Sequence, residues 1–366
     1  MIACYEVPGF GGASTSAYEL FRTMQSDGVD VSFVNLIDER DRVFFQYTFG
    51  DRLGNPDGLA GVENVFVAPP FSASQPGLTA LRRIIDRQAP DVAAGVGHVA
   101  TSALRAAAPQ GRLVYMTTGC KEAERLILEG RYTDYVSLAR GLPNDPRMYF
   151  NESEWRAISN GDLVITHSDQ VRDLLLHFYP EWKGKIYPCV IWYAEWIHSA
   201  ALRHAHRARP FHEREIDALF IASSWDRKVK NYALVRRIVS RLPGRRIHVV
   251  GDVDESLAGV VHHGFVPERE RVLDLLGNAR AVVCPSLVDA APGILFEASA
   301  LGCNVVASKN CGSYRLCHPA LLVDPPTLEG FVSRITLAQE RRLDDRMADF
   351  LGSGSYSDLV DTLMAL

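Results

Sequence analysis

The 366-residue chain carries 39 Lys and Arg against 44 Asp and Glu, a net charge of -5 with no face-wide basic excess, which excludes a general nucleic-acid binder. Apolar residues make up 47% and charged residues 23%, the balance of a soluble globular chain long enough for two domains. Seven scattered cysteines without a C-x-x-C pair exclude a disulfide framework or zinc ribbon and favour a reducing cytoplasm. The start MIACYEVPGFGG has no secretory-signal pattern, and no apolar run approaches the ~18 residues of a membrane span.

The segment IACYEV reads as a buried strand, PGFGGAST as a glycine loop, Ser14 to Ser26 as a helix ended by Asp27-Gly28, and VDVSFVNL as a second strand. That order is a right-handed βαβ opening. Gly11 and Gly12 let a backbone approach a ligand closely, and because G-x-G-x-x-G is absent no dinucleotide cofactor is expected. Residues 38–77 show no periodicity and predict loops with one or two short elements. LTALRRIIDRQ follows as a helix with Leu78, Leu81, Ile84 and Ile85 on one face; its arginines read as solvent-exposed, and membrane contact is not expected. PDVAAGVG and RLVYMTT are strands flanking the helix VATSALRAAA. Cys120, Lys121, Glu122 and Glu124 open a long helical segment and are expected on its surface. In GDLVITHSDQVRDLLLHFYP a strand meets Ser168 as N-cap, and Val171, Leu174, Leu175 and Phe178 recur at helical spacing; KIYPCVIW is the next strand.

Residues 196–214 hold His198, His204, His206 and His212 without the spacing of a metal site and are expected to form an interdomain hinge. The second half opens with the strand IDALFIAS and the basic turn around Arg227, Lys228 and Lys230-Asn231, ahead of an amphipathic helix. RRIHVVGD and VVHHGFV, ending at Phe265, are strands, and RERVLDLLGNA is a helix. Asp252 and Asp254 read as a turn after Gly251 rather than a metal site. Beyond LLVDPP, one helix is expected across TLEGFVSRITLAQERRLDDRMADFLG, a break at 352–355, and a short final helix.

The most informative stretch is residues 281–312. A strand, Ala281 to Pro285, runs into a polar loop, a helix spans about Pro292 to Leu301, Gly302 ends it, and Asn304 to Ser308 is a second strand. Asp289 and Glu297 stand eight residues apart, with the amides of Gly293, Ile294 and Leu295 between them. Amides at a helix start attract phosphate oxygens, whereas carboxylates repel phosphate and accept hydrogen bonds from hydroxyls. The combination fits a diphosphate lying between the hydroxyls of a ribose and a sugar.

This stretch resembles the paired acidic residues of retaining glycosyltransferases of family 4, with Pro292, Glu297, Ala298, Ala300, Gly302, Val305, Val306 and Ser308 at matching places and Asp289 where the family usually has Glu. The resemblance covers nearly the whole chain: the Gly11-Gly12 loop resembles one that lies beside donor phosphates and acceptor, and Lys230-Asn231 resembles the family's lysine that neutralises the donor diphosphate. It departs at Thr118, where the family often has a histidine, at Ser223-Ser224-Trp225, where an arginine is missing that Arg227 or Lys228 replaces, and at Cys311 to Arg315. Thr118 offers a hydroxyl but no base at neutral pH.

The resemblance implies an α/β chain of the GT-B fold, two Rossmann-like domains with parallel sheets facing a cleft. The expected acceptor domain is 1–195 with the C-terminal helix 355–366 crossing back to it, and 215–352 is the nucleotide-sugar domain. Catalytic roles fall to Asp289, Lys230, Arg227 and Thr118, and donor binding to Gly11, Gly12, Lys228, Phe265, Pro292, Gly293, Ile294, Leu295 and Glu297. The implied reaction moves a sugar with retention from a nucleotide diphosphate sugar to a small soluble acceptor, as in natural-product or thiol biosynthesis, with no metal and no other cofactor. A GT-B epimerase or hydrolase and a degenerate nucleotide-binding partner are the alternatives. The donor base and the choice between monomer and homodimer stay open.

Overall fold

The computed structural model describes residues 1–5, 12–43, 61–69, 71, 75–130, 151–188, 194–253, 255–344, 346–351 and 356–366. Gly11, Asp254 and the break expected at 352–355 lie outside them. Among the described residues two parallel sheets form the frame. The first has seven strands in the order β3-β2-β1-β4-β5-β6-β7: β1 (Ile2–Tyr5), β2 (Phe33–Asp38), β3 (Val62–Val67), β4 (Ala93–Val96), β5 (Leu113–Met116), β6 (Leu163–Thr166) and β7 (Ile186–Pro188). The second has six in the order β10-β9-β8-β11-β12-β13: β8 (Ala218–Ser224), β9 (Ile247–Asp252), β10 (Val260–His262), β11 (Ala281–Cys284), β12 (Asn304–Ser308) and β13 (Leu322–Val323). Parallel sheets are covered on both faces, which is why β4, β5, β6, β11 and β12 are buried at every position.

In each sheet the strand order reverses once, between β1 and β4 in the first and between β8 and β11 in the second. Loops leaving the carboxyl ends of strands diverge at such a point and open a crevice. The loop after β8 carries Arg227, Lys228 and Lys230; the loop after β11 carries Asp289. Topology alone therefore brings together residues about 60 positions apart in sequence. On the other side, helix α1 (Gly12–Ser26) starts at the glycine loop, and Gly97 and His98 follow β4.

The two crevices meet. The Lys228 amine donates to the Leu128 carbonyl oxygen at 3.1 Å, Arg315 pairs with Asp169, and the Gln170 side-chain amide donates to the Asn310 carbonyl. Gly312 has no room for a side chain, because a Cβ there would overlap the Ala290 carbonyl and crowd the Ser168 hydroxyl. The helix Ala194–Leu202, which overlaps the start of the expected hinge tract, packs on the helix Ile294–Ala300, and the Ile197 side chain fills the space above Gly293.

The C-terminal helix (Tyr356–Met364) returns to the first domain: Leu359 and Leu363 are buried in the apolar cluster that includes Tyr18 and Phe21 of α1. Each such leucine contributes roughly 1.5–3 kcal/mol when fully buried. The Tyr356 hydroxyl faces Asp27.

Two sequence expectations are corrected. The single helix expected from Thr327 onward is two, Leu328–Glu340 and Met347–Leu351, because Asn304 intervenes. Its side-chain amide donates to the Ala338 and Arg341 carbonyls, its side-chain oxygen accepts from the Leu343 amide, and Arg341 turns extended. Cys120 and Glu122, expected on a helix surface, are fully buried, and Glu122 is held by Arg125 across one turn of Lys121–Leu128. Among the described residues no helix is long and apolar enough to cross a membrane.

Candidate active site

The crevice of the second sheet holds a cavity of about 200 Å³, whose walls include Trp225, Lys230, Ser286, Asp289, Gly293 and Ile294. Its centre is an ion pair: the Lys230 amine donates to Asp289 Oδ2 at 2.6 Å, with the two side chains 19% and 13% exposed. Burial pulls the Lys230 amine down, but the Asp289 charge, assisted by Cys284 and the hydrogen bond itself, outweighs it and the net shift is upward. Lys230 is thus a fixed cation at neutral pH. The Ser286 hydroxyl donates to the same Asp289 oxygen at 3.3 Å.

Backbone bonds fix both partners. The Asp289 amide donates to Asn310 at 3.1 Å, and the Gly312 amide donates to Asp289 at 2.8 Å, so this loop runs parallel to the one after β12. The Leu287 amide donates to Val229 at 2.8 Å and the Asn231 side-chain amide to Pro285 at 3.0 Å, tying the aspartate loop to the lysine turn. Asn231 sits at φ 63°, the left-handed region that asparagine tolerates better than most residues, between the turn Lys228–Lys230 and the helix Tyr232–Ser240. Behind the turn, Trp225 is buried with its indole N–H on the Val250 carbonyl at 3.0 Å. It lies against Gly251, at φ 114°, where a Cβ would overlap the Ala222 carbonyl.

Pro292, Gly293 and Ile294, expected in donor binding, line the cavity. Leu295 does not offer a free amide, because its N–H donates to the Pro292 carbonyl at 3.2 Å. Glu297 lies within the helix Ile294–Ala300 and is engaged by Arg269 at 2.7 Å, a partner no sequence pattern pointed to. Burial raises its pKa against the pull of Arg269. Arg227 is exposed, close enough to Lys230 to oppose its charge. Lys228 reaches across to Leu128 instead of into the cavity, and Phe265 is 57% exposed, its amide on Asp252 Oδ1 at 3.2 Å. Gly12 begins α1.

Thr118, half-buried, follows β5 on the facing domain. A Cβ on the next residue, Gly119, would lie 3.9 Å from the Ala290 methyl and 3.1 Å from Glu124 Oε1, so this turn meets the aspartate loop directly. Lys121 pairs with Glu124 at 3.1 Å, and His98 lies close to both, its pKa lowered by burial and Lys121 against the pull of Glu124. This polar group was missed in the sequence because its members come from two separate strand ends.

Family comparisons agree with this architecture. The model described as Glycosyltransferase Family 4 matches residues 10–191, and that described as Glycosyl transferases group 1 matches residues 215–339. The chain belongs to glycosyltransferase family 4. The glycosyltransferase has the GT-B fold, and solved structures match it over its full length. Sucrose-phosphate synthase from Thermosynechococcus elongatus is similar with a TM-score of 0.71 at 14% identity, covering 100% of this chain and 99% of that one. The Anabaena protein HepE in complex with UDP and glucose gives 0.64 at 13% identity, covering 100% and 99%. The apo lipopolysaccharide outer core galactosyltransferase WaaB gives 0.64 at 12%, covering 100% and 98%. Among curated proteins none matches this glycosyltransferase.

Proposed function

We propose that the enzyme transfers a sugar, with retention of anomeric configuration, from a nucleotide diphosphate sugar to a small soluble acceptor. The observation that carries this reading is the Lys230–Asp289 pair in a cavity at the switch point of the second sheet, facing Gly119 of the first domain. Lys230 is the cation for the donor diphosphate, with Arg227 moving in beside it. Asp289 faces the transferred sugar and balances the positive character that builds on its ring. Glu297, with Arg269 fixing its carboxylate, accepts the ribose hydroxyls. Phe265 and Gly12 flank the donor, while Lys228 holds the opposite domain at Leu128.

The acceptor enters from the first domain, where Thr118, Lys121, Glu124 and His98 supply hydrogen-bonding groups. Thr118 has no basic group and the Glu124 carboxylate is held by Lys121, so the acceptor's proton is assigned to the departing phosphate oxygen on the same face as the leaving group. Charge on the leaving diphosphate is assigned to lysine and arginine, without a metal or further cofactor. HepE was solved with UDP-glucose, which makes UDP-glucose the first donor to try. Polar acceptors of the kind glycosylated in natural-product or thiol biosynthesis fit this surface. The six described cysteines are all free thiols, which suits a cytoplasmic enzyme.

The test is a thermal-shift screen across UDP, GDP, ADP and dTDP and their sugars, since a ligand at 100 times its dissociation constant adds roughly 2.7 kcal/mol to the folded state. Product NMR then reads the anomeric configuration. Donor consumed without a glycosylated acceptor, or an inverted product, rejects the proposal.

A further inference from the structure

The cavity that holds Lys230 and Asp289 is also walled by a thiol. Cys284, the last residue of β11, lines it, and behind Cys284 lies Cys311, in the loop paired with Asp289. The Cys284 and Cys311 side chains lie within interaction reach of each other. Cys284 in turn donates to the Ser286 hydroxyl at 3.5 Å, Ser286 donates to Asp289 at 3.3 Å, and Lys230 closes the chain at 2.6 Å. Two neighbouring thiols, one lining a cavity and hydrogen-bonded through Ser286 to the central ion pair and the other in the loop paired with Asp289, are more than a packed apolar wall requires.

We propose that Cys284 and Cys311 form a peroxide-reactive dithiol in the cavity wall, and that closing it to a disulfide weakens nucleotide diphosphate binding. Hydrogen peroxide, small enough for a cavity of about 200 Å³, is the oxidant. Cys284 sulfur attacks one peroxide oxygen, the O–O bond breaks, and water leaves as Cys284 becomes a sulfenic acid. Cys311 sulfur then displaces the sulfenic oxygen as a second water, forming the S–S bond. The balance is two thiols and one peroxide giving one disulfide and two waters. The Cys311 contact lowers the Cys284 pKa, against burial, and Lys230 acts in the same direction, which favours Cys284 as the attacking sulfur. Burial raises Cys311 and suits it to the resolving role. Bond formation takes the Cys284 proton away from Ser286 and pulls the end of β11 toward the loop after β12, against which the Asp289 loop is paired.

The experiment treats the reduced full-length chain with hydrogen peroxide, blocks remaining thiols, and maps peptides by mass spectrometry. A dominant Cys284–Cys311 crosslink that dithiothreitol reverses is expected, and Cys311→Ser should instead accumulate a Cys284 sulfenic acid trapped by dimedone. A pair that stays reduced while other cysteines oxidise, or a crosslink from Cys284 to Cys317, overturns the proposal; the wild-type map decides this even where the variant does not fold. The second arm rests on the donor-site reading: oxidation should weaken UDP binding about tenfold, the worth of one hydrogen-bonded contact. Unchanged UDP affinity after crosslinking overturns the gating. Absence of UDP binding to the reduced protein counts against the donor reading for UDP, while the peptide map still decides the dithiol.

Discussion

Asp289→Asn separates two jobs that the aspartate performs at once. The Asp289 carboxylate holds the Lys230 amine at 2.6 Å, so a diphosphate must compete for the same cation. A hydrogen bond to a charged group contributes about 1.5–3 kcal/mol and a neutral one about 0.5–1.5 kcal/mol. Asparagine keeps the volume and an acceptor oxygen for Lys230 and Ser286, so the grip on Lys230 weakens by about 1 kcal/mol. Bare UDP should then bind about fivefold tighter. Turnover should move the other way, by about a hundredfold, because a preorganised charge opposite a developing one is worth roughly 2.7–4 kcal/mol. Calorimetry with UDP and the rate of UDP release from UDP-glucose give the two numbers on the same protein. Weaker UDP binding together with unchanged turnover would refute the assignment of Asp289 to the sugar and of Lys230 to the phosphates.

Lys230→Ala should weaken UDP far more than uridine in the same calorimeter; equal losses would place the lysine away from the diphosphate. Glu297→Ala should weaken donor binding by about tenfold to a hundredfold, the range of one or two charged hydrogen bonds to ribose, and should spare binding of inorganic diphosphate. Glu154→Gln tests a buried carboxyl that holds the start of the helix Lys121–Leu128. Burial pushes Glu154 up to about 7 from its usual 4.5, against hydrogen bonds from the Lys121 and Glu122 amides and the Tyr179 hydroxyl. The folded state therefore binds more protons than the unfolded one between these values. Its contribution is fully present below pH 4.5 and is lost as pH rises through about 7. Denaturation across that window should show a decline of up to about 3 kcal/mol that is present in the wild type and absent in the variant.

Strand runs and caps were the readily legible part of this sequence. LVIT, Ser168 and the helix with Val171, Leu174, Leu175 and Phe178 stand as periodicity predicts, with the Ser168 hydroxyl accepting the Val171 amide. The same local signals placed β11, β12 and the glycine stop at Gly302, whose φ is 71°. What stayed hidden was set by partners distant in the chain. Asn304 looks like an ordinary strand residue, yet it splits a helix 34 positions later. Arg269 sits on an unremarkable helix and reaches Glu297 only because two helices pack side by side. Lys230 and Asp289 were each legible as site residues, but their direct pairing depends on the strand order of the second sheet.

Lys228 and Lys230 are separated only by Val229, whose carbonyl accepts the Leu287 amide. One lysine is bonded to the opposite domain and the other to the central aspartate. Any separation of the domains therefore tugs on the short turn that positions Lys230, and any ligand that draws Lys230 away from Asp289 feeds back on the Leu128 tether. Thermodynamic reciprocity requires the two effects to be equal in free energy. The exposed Leu128 hydrogen bond contributes about 1 kcal/mol to this link, and Val229, buried in an apolar cluster with Leu126 and Ile127 of the first domain, adds to it. Nucleotide affinity and interdomain opening are in this way two readings of one equilibrium, coupled through three consecutive residues.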